Sequence, residues 1–359
     1  MPTDQSIKTG LNLKPSLIRK ILIIQTAFPG DVILTTPLIA ALKQEYPDAC
    51  IDFLTTPLCA NLPETHPDLH QVIIFDKRHR HRGLLNLIHF ARNRLRTAHY
   101  DLAVIPHRSF RSAAMAWIAQ IPHRVGFDRS AGRFLFTQVI KYQKQLHEVE
   151  RNISLLAPSQ IVPFAYPPKI FPTEQDRQII SRFFQEQAIS VTFPMIAIAP
   201  GSVWETKKWL KTYFAELCSL IHRKYQALIF LIGGASDQIL CEWIRENSDA
   251  NVLNTAGRFT FRQSAELISR CQLLICNDSA PLHLGVAAQI PVMAIFGPTV
   301  PAIGFYPYGK KHIIIEKTLD CRPCAIHGGD KCPINTFECM KGITPETVFN
   351  AVKRQLSSD

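Results

Sequence analysis

The feature that most constrains this chain is an alternation of short apolar runs and helical stretches that occurs twice, with a proline-rich break between. The first series has runs KILIIQ (20–25), CIDFLT (50–55), QVIIFD (71–76) and DLAVIP (101–106), with helical patterns at 84–97 and 109–119. The second has MIAIAP (195–200), ALIFLIG (227–233), QLLICN (272–277) and VMAIFG (292–297), with helical patterns at 209–224, 236–247, 261–270 and 279–288. Apolar runs of strand length alternating with helices predict parallel, doubly wound sheets. The break, LLAPSQIVPFAYPPKIFP within 155–175, reads as an inter-lobe linker. The expected organisation is a leader (1–19), a first lobe (20–170), a second lobe (171–345) and a terminal helix (346–359). That helix is announced by Thr344-Pro345, with Val348, Val352 and Leu356 on one face. A helix is also expected where Leu34, Leu38 and Leu42 recur every four residues. Either Thr36-Pro37 starts it, or it begins near Asp31 and Pro37 bends it.

Composition narrows the class. The 359 residues are 47% hydrophobic and 19% charged, which suits two cored domains and excludes disorder. No apolar run approaches the roughly 18–20 residues of a membrane span. The first twenty residues carry no apolar signal core, so a cytoplasmic location is expected. A formal net charge of +11 points to an anionic partner. Of ten cysteines, Cys50, Cys59, Cys218, Cys241, Cys271 and Cys276 lie in apolar surroundings and read as small buried hydrophobes. The other four form a C-x2-C-x7-C-x6-C cluster at Cys321, Cys324, Cys332 and Cys339. On spacing alone this suits zinc, an iron–sulfur cluster or reduced structural thiols.

Ligands of α/β sheets bind beyond the carboxyl ends of strands, and three loops there carry chemistry. In FPGDV, Gly30 suits a tight turn, and Asp31 is either a helix-capping carboxylate or a general base for an acceptor hydroxyl. In APGSVWETKKW, Ser202, Lys207 and Lys208 stand by a glycine, and a lysine there can stabilise a departing diphosphate. In ICNDSAPLHLGVAA, Asp278-Ser279 precedes a helix whose N-terminus attracts phosphate, with His283 about one turn on. Two patterns are missing. No two glycines are separated by a single residue, so there is no dinucleotide fingerprint, and there is no D-x-D to hold a metal on a nucleotide-sugar. GFYPYGKK mimics a phosphate loop but leads into an apolar HIII run rather than a helix.

Together, PGDVILTTPLIAALKQEYPDACIDFLT, YDLAVIPHRSFRSA, IPHRVGF, HEVERNISLL, KKWLKTYFAEL and NDSAPLHLGVAAQIPVMAIFGPT resemble glycosyltransferase family 9, the lipopolysaccharide heptosyltransferases. The cysteine-bearing tail is similar to heptosyltransferase II-like sequences. The resemblance implies an α/β fold of the GT-B type, two Rossmann-like lobes facing a cleft, that binds acceptor in the first lobe and donor in the second. It implies an inverting, metal-independent transfer without cofactor, from ADP-L-glycero-D-manno-heptose to the Kdo/heptose inner core of lipid A. Asp31 would be the base and Lys207 would stabilise departing ADP. Gly30, Ser202, Asp237, Asp278, Ser279, Ala280 and His283 would form the donor site; Ala280 stands where many members have glycine. The acceptor, Kdo-lipid A or its heptosylated form, is anionic. It would meet the basic stretch DKRHRHRG (76–83) through Arg78, and Arg108, Arg111 and Arg124 in later loops. Peripheral contact with the cytoplasmic face of the inner membrane follows, with no role for nucleic acid. The competing readings are a nucleotide-sugar epimerase or hydrolase on the same fold, and a metal-binding adaptor built on the basic face and cysteine tail.

Overall fold

The computed structural model describes residues 13–156, 162–189 and 193–357. The chain folds into two compact units, Met1–Phe171 and Pro172–Asp359.

The first unit contains β1 (Lys20–Ile24), α1 (Pro29–Ile33), α2 (Thr36–Glu45), β2 (Cys50–Thr55), β3 (Gln71–Ile74), α3 (Leu84–Phe90), β4 (Leu102–Ile105), α4 (Phe110–Ile118), β5 (His123–Phe127), β6 (Gln138–Ile140) and α5 (Glu148–Ser154). The strands pair in the order β3-β2-β1-β4-β5-β6, all parallel. Ile21 pairs with Ile51 on one side and Leu102 on the other. β1 is buried throughout after Lys20, which is why its sequence is a continuous apolar run rather than an alternation. Leu22, Ile24, Phe75, Phe90, Ala103 and Met115 belong to one core on the α3–α4 side of the sheet.

The second unit contains α6 (Glu174–Glu186), β7 (Met195–Ala199), α7 (Lys211–Tyr225), β8 (Leu228–Leu231), α8 (Gln238–Glu246), β9 (Val252–Asn254), α9 (Phe261–Ser269), β10 (Leu273–Asn277), α10 (Ala280–Ala287), β11 (Val292–Phe296), β12 (Ile313–Glu316), α11 (Glu338–Lys341) and α12 (Pro345–Leu356). Its sheet, β12-β11-β10-β7-β8-β9, repeats the first topology strand for strand. The order reverses between β1 and β4 in one unit and between β7 and β10 in the other. Those switch points are where an open parallel sheet leaves a crevice for ligand.

Several expectations are refined. The leucine-spaced helix is two: α1 ends at Ile33, and α2 restarts with Pro37 in its first turn, where proline costs no hydrogen bond. The 84–97 helix changes pitch, running on from α3 as a π segment, Ala91–Leu95, and a 3-10 turn, Arg96–Ala98. Residues 1–12 of the leader and 157–161 of the linker lie outside the described residues. The end of the leader is tied down: Ile18 is buried, and the Arg19 and Lys20 amides both donate to Asp101 Oδ2 at 2.8 Å. Cys50 is exposed, unlike the other five scattered cysteines, because it opens β2 at the sheet margin. The HIII run becomes β12, so GFYPYGKK leads into a strand, as a phosphate loop does not.

Candidate functional site

In the first unit, the switch point brings together the loops after β1 and β4. Asp31 lies in the first turn of α1, where its Oδ2 accepts from the Phe28 amide at 3.2 Å. Gly30 is a buried helical residue beside it rather than a left-handed turn glycine. Burial pushes the Asp31 carboxyl up to about 7, and the nearby Glu148 carboxylate adds to the rise. The Phe28 amide and Arg108 pull the other way and lose. Glu148 is itself buried, held by Arg151 at 2.9 Å and by the Tyr142 hydroxyl at 3.0 Å. The Arg108 and Arg151 guanidinium carbons lie 4.7 and 4.8 Å from the Tyr142 ring centre. Arg108, Glu148 and Asp31 therefore form one charge-coupled group.

Beside it, Lys77 donates to the Thr26 carbonyl at 2.5 Å, and Arg78 and Arg111 are close enough to depress its ammonium, adding to its burial. His107 Nδ1 lies 3.0 Å from Thr26 Oγ1 and 2.9 Å from Ser112 Oγ. Burial, and the charges of Lys77, Arg108 and Arg111, push this imidazole down to about 4, so it is neutral near pH 7. Sequence reading passed over His107 and Glu148; HRS following a strand and the HEVER run were their only signals. Arg78 and Arg111 are exposed and face this region. Arg124, expected alongside them, is placed otherwise: its guanidinium donates to the Leu135, Ile121 and Pro122 carbonyls. It knits β5 to the 3-10 turn Arg133–Leu135 through Nε and Nη1.

In the second unit, the loops after β7, β8 and β10 converge. Asn277, at the end of β10 and fully buried, donates to the Pro200 carbonyl at 2.8 Å and accepts from the Trp209 amide at 3.1 Å, so it fixes both ends of the loop between them. Within that loop Lys207 Nζ meets Asp278 Oδ2 at 2.6 Å, with both side chains about one-tenth exposed. The Thr299 hydroxyl donates to the same Oδ2 at 2.5 Å. Ser279 occupies the N-cap position of α10, but its hydroxyl turns to the Gly201 carbonyl at 3.3 Å instead of capping. The first amides of α10, from Ala280 on, are left without that cap. His283 is buried with Nδ1 unpartnered, and burial and Lys207 push it down to about 3, leaving a neutral ring beside an ammonium. Asp237 Oδ2 accepts from the Gly234 amide at 2.9 Å and packs on Gly201. A Cβ on Gly201 would lie 2.4 Å from Asp237 Oδ1, so only glycine lets these two loops meet. Ser202 Oγ accepts from the Trp204 amide at 3.3 Å and shapes the start of the lysine loop.

The cysteine tail braces this centre. Thr206 and Gly329 exchange three hydrogen bonds: the Thr206 amide and hydroxyl to the Gly329 carbonyl (3.0 and 2.8 Å), and the Gly329 amide to Thr206 Oγ1 (2.8 Å). Gly328, at φ +89°, packs on the Lys207 side chain. Cys324 donates its amide to the Pro298 carbonyl at 2.9 Å. The Arg322 guanidinium binds the carbonyls of Phe296, Gly297, Thr299 and Lys317 and the Glu316 carboxylate. The four thiols are free, and Cys324, Cys332 and Cys339 line a cavity of about 50 Å³ with Thr206 and Gly329. Among the described residues no group of three or more His, Cys, Asp or Glu is arranged to hold a metal.

Two Rossmann-type units, one with a carboxyl pushed up toward neutrality at its switch point and the other with a lysine–aspartate pair beside a helix N-terminus that no side chain caps, fit a nucleotide-sugar-dependent glycosyltransferase. The model of glycosyltransferase family 9 (heptosyltransferase) matches residues 88–330, and the chain belongs to that family. The lipooligosaccharide heptosyltransferase 2 of Haemophilus ducreyi is 28% identical, covering 94% of this chain and 99% of its own. The solved family 9 glycosyltransferase of Veillonella parvula superposes with a TM-score of 0.86 at 22% identity, covering 98% of this chain and all of its own. The ADP-heptose lipopolysaccharide heptosyltransferase II of Escherichia coli does so with a TM-score of 0.78 at 24% identity, covering 94% and 99%.

Proposed function

We propose that the chain transfers heptose from ADP-L-glycero-D-manno-heptose to the Kdo/heptose inner core of lipid A, with inversion and without a metal, at the cytoplasmic face of the inner membrane. The observation that carries the mechanism is Asp31, a carboxyl held near 7 where a general base is most effective at neutral pH. Asp31 takes the proton of the acceptor hydroxyl as its oxygen attacks the anomeric carbon. The bond from that carbon to the phosphate oxygen breaks, and ADP leaves with the electron pair. Lys207 and the amides opening α10 offset the charge that develops on the diphosphate, the task a divalent cation performs in D-x-D enzymes. Asp278 and Thr299 aim Lys207. Asp237 takes the ribose, and Ser202, Ser279 and His283 shape the sugar pocket. The neutral His283 can hydrogen-bond there without adding charge. Gly30 allows close approach beside Asp31. Arg78, Arg108 and Arg111 receive the anionic groups of the acceptor, assisted by Lys77.

Mass spectrometry after incubation with ADP-heptose and either Kdo-lipid A or its heptosylated form tests the reading. The expected product is acceptor plus one heptose, formed equally in EDTA. Asp31→Ala is expected to retain donor affinity and lose about 10²-fold or more in kcat. Donor consumed without any acceptor modified would replace this reading with a nucleotide-sugar hydrolase.

A further inference from the structure

At the carboxyl edge of the first sheet, outside the site itself, four large apolar side chains project into solvent. Leu84 and Leu85 open α3 at 67% and 81% exposed. Phe110 opens α4 at 50%, and Phe134, in the turn Arg133–Leu135, is 72% exposed. The two phenylalanine rings are 6.2 Å apart. They belong to one edge because α3 and α4 share the core on one face of the sheet, and each follows its strand, β3 or β4, with its N-terminus at the strand ends. Exposed Arg80, Arg82, Arg111 and Arg133 flank them. From Lys77 to His147 the chain has fourteen Lys and Arg against two Asp. Asp101 precedes β4 and lies at the opposite, amino edge, so Asp76, just before this stretch, and Asp128 within it are the acidic groups set against that excess of cations. Asp76 accepts from the Arg78 and His79 amides, Asp101 from those of Arg19 and Lys20, and Asp128 from that of Tyr142.

We propose that this rim is a docking surface for an anionic lipid bilayer. Separate apolar side chains on different loops, ringed by arginines, are what a membrane interface takes: leucine and phenylalanine enter the acyl boundary while guanidinium groups meet lipid phosphates. A protein partner would instead ask for a packed, charge-depleted centre, which this edge lacks. The inference rests on the reading of the acceptor as lipid-borne, since it brings the edge that holds Asp31 against the surface where such an acceptor lies.

The test is co-sedimentation of the full chain with vesicles of phosphatidylethanolamine, phosphatidylglycerol and cardiolipin, compared with phosphatidylcholine alone, at 150 mM salt. Binding to the anionic vesicles only is expected. Leu84→Asp with Leu85→Asp and Phe134→Ser is expected to weaken it at least tenfold. Asp in the first turn of α3 favours the helix, so this variant should fold. Arg80→Glu with Arg133→Glu gives a second route, at least tenfold from charge alone. Wild-type affinity in the apolar variant, or equal binding to phosphatidylcholine, overturns the proposal. Turnover on a deacylated, water-soluble acceptor separates the two readings. It should be unchanged in both variants, and its absence from the wild type would defeat the transferase reading while leaving vesicle binding to be scored alone.

Discussion

Asp31 shows how one side chain is tuned by what lies around it rather than by its sequence position. An aspartate in the first turn of a helix normally gains from the dipole and the free amides. Here the Phe28 amide supplies that gain, but burial and Glu148 outweigh it. As the proposed base, Asp31 works only when ionised, so kcat/KM should rise with pH through about 7 and level off above. Glu148→Gln keeps the shape and the hydrogen bond to Tyr142 while removing the like charge. It is expected to move the acid limb of the profile down by about one unit, a shift that loss of fold alone would not produce. Stability runs the opposite way. The folded form holds the Asp31 proton up to about 7, whereas an unfolded aspartate releases it near 4. The ionised carboxylate therefore costs stability progressively from about pH 4 to 7. Residues of this kind were only half legible in the sequence. FPGDV, APGSVWETKKW and NDSAPLH mark loops by their turn residues, so Asp31, Lys207 and Asp278 could be picked out as candidates. Thr299, Arg322 and Glu148 could not, because their roles arise from partners 21, 23 and over 100 residues away. Arg124 was grouped with Arg78, Arg108 and Arg111 because an arginine facing carbonyls and one facing a ligand look alike in a sequence.

At the scale of elements, apolar runs bounded by turn residues were readable, and short strands with polar residues or a helix of buried polar residues were not. β5, β6, β9 and β12 escaped because three to five residues, some polar, give no period to count. α5 escaped because all of EVERNIS is buried although only Val149 and Ile153 are apolar, so its burial leaves no apolar stripe to read. α6, just after the proline-rich stretch, was left unassigned, although its apolar residues Ile180, Phe183 and Phe184 fall on one buried face. The element with the greatest functional reach is the cysteine-bearing tail, bound to the lysine loop through Thr206. Thr206→Val keeps the volume and removes the hydroxyl that makes two of the three bonds to Gly329. Thermal unfolding should report a loss of about 1–3 kcal/mol. ADP titration should show weakened donor binding, because the backbone that carries Lys207 is released.

For the molecule as a whole, the doubled alternation in the sequence corresponds to a doubled sheet order, each unit with its own core. A domain that buries its own apolar surface can fold alone. The segment Pro172–Asp359 is therefore expected to fold cooperatively when expressed alone and to bind ADP, measured by calorimetry, within about tenfold of the full chain. Asp237, Lys207, Asp278 and the start of α10 all lie in it. The same segment should transfer no sugar, having left Asp31 behind.

The clasp that ties Thr299 and Gly329 to the Asp278 and Lys207 loops restricts how this family member can diverge. A surface loop ordinarily tolerates insertions, because lengthening it changes only chain entropy. Between Gly297 and Gly329 that freedom is lost, since Thr299 near one end is stapled by a hydrogen bond to Asp278 and Gly329 at the other to Thr206. Gaining or deleting a residue there would shift the register of one staple against the other, so natural variation in this stretch should run to exchanges of residue type rather than changes of length.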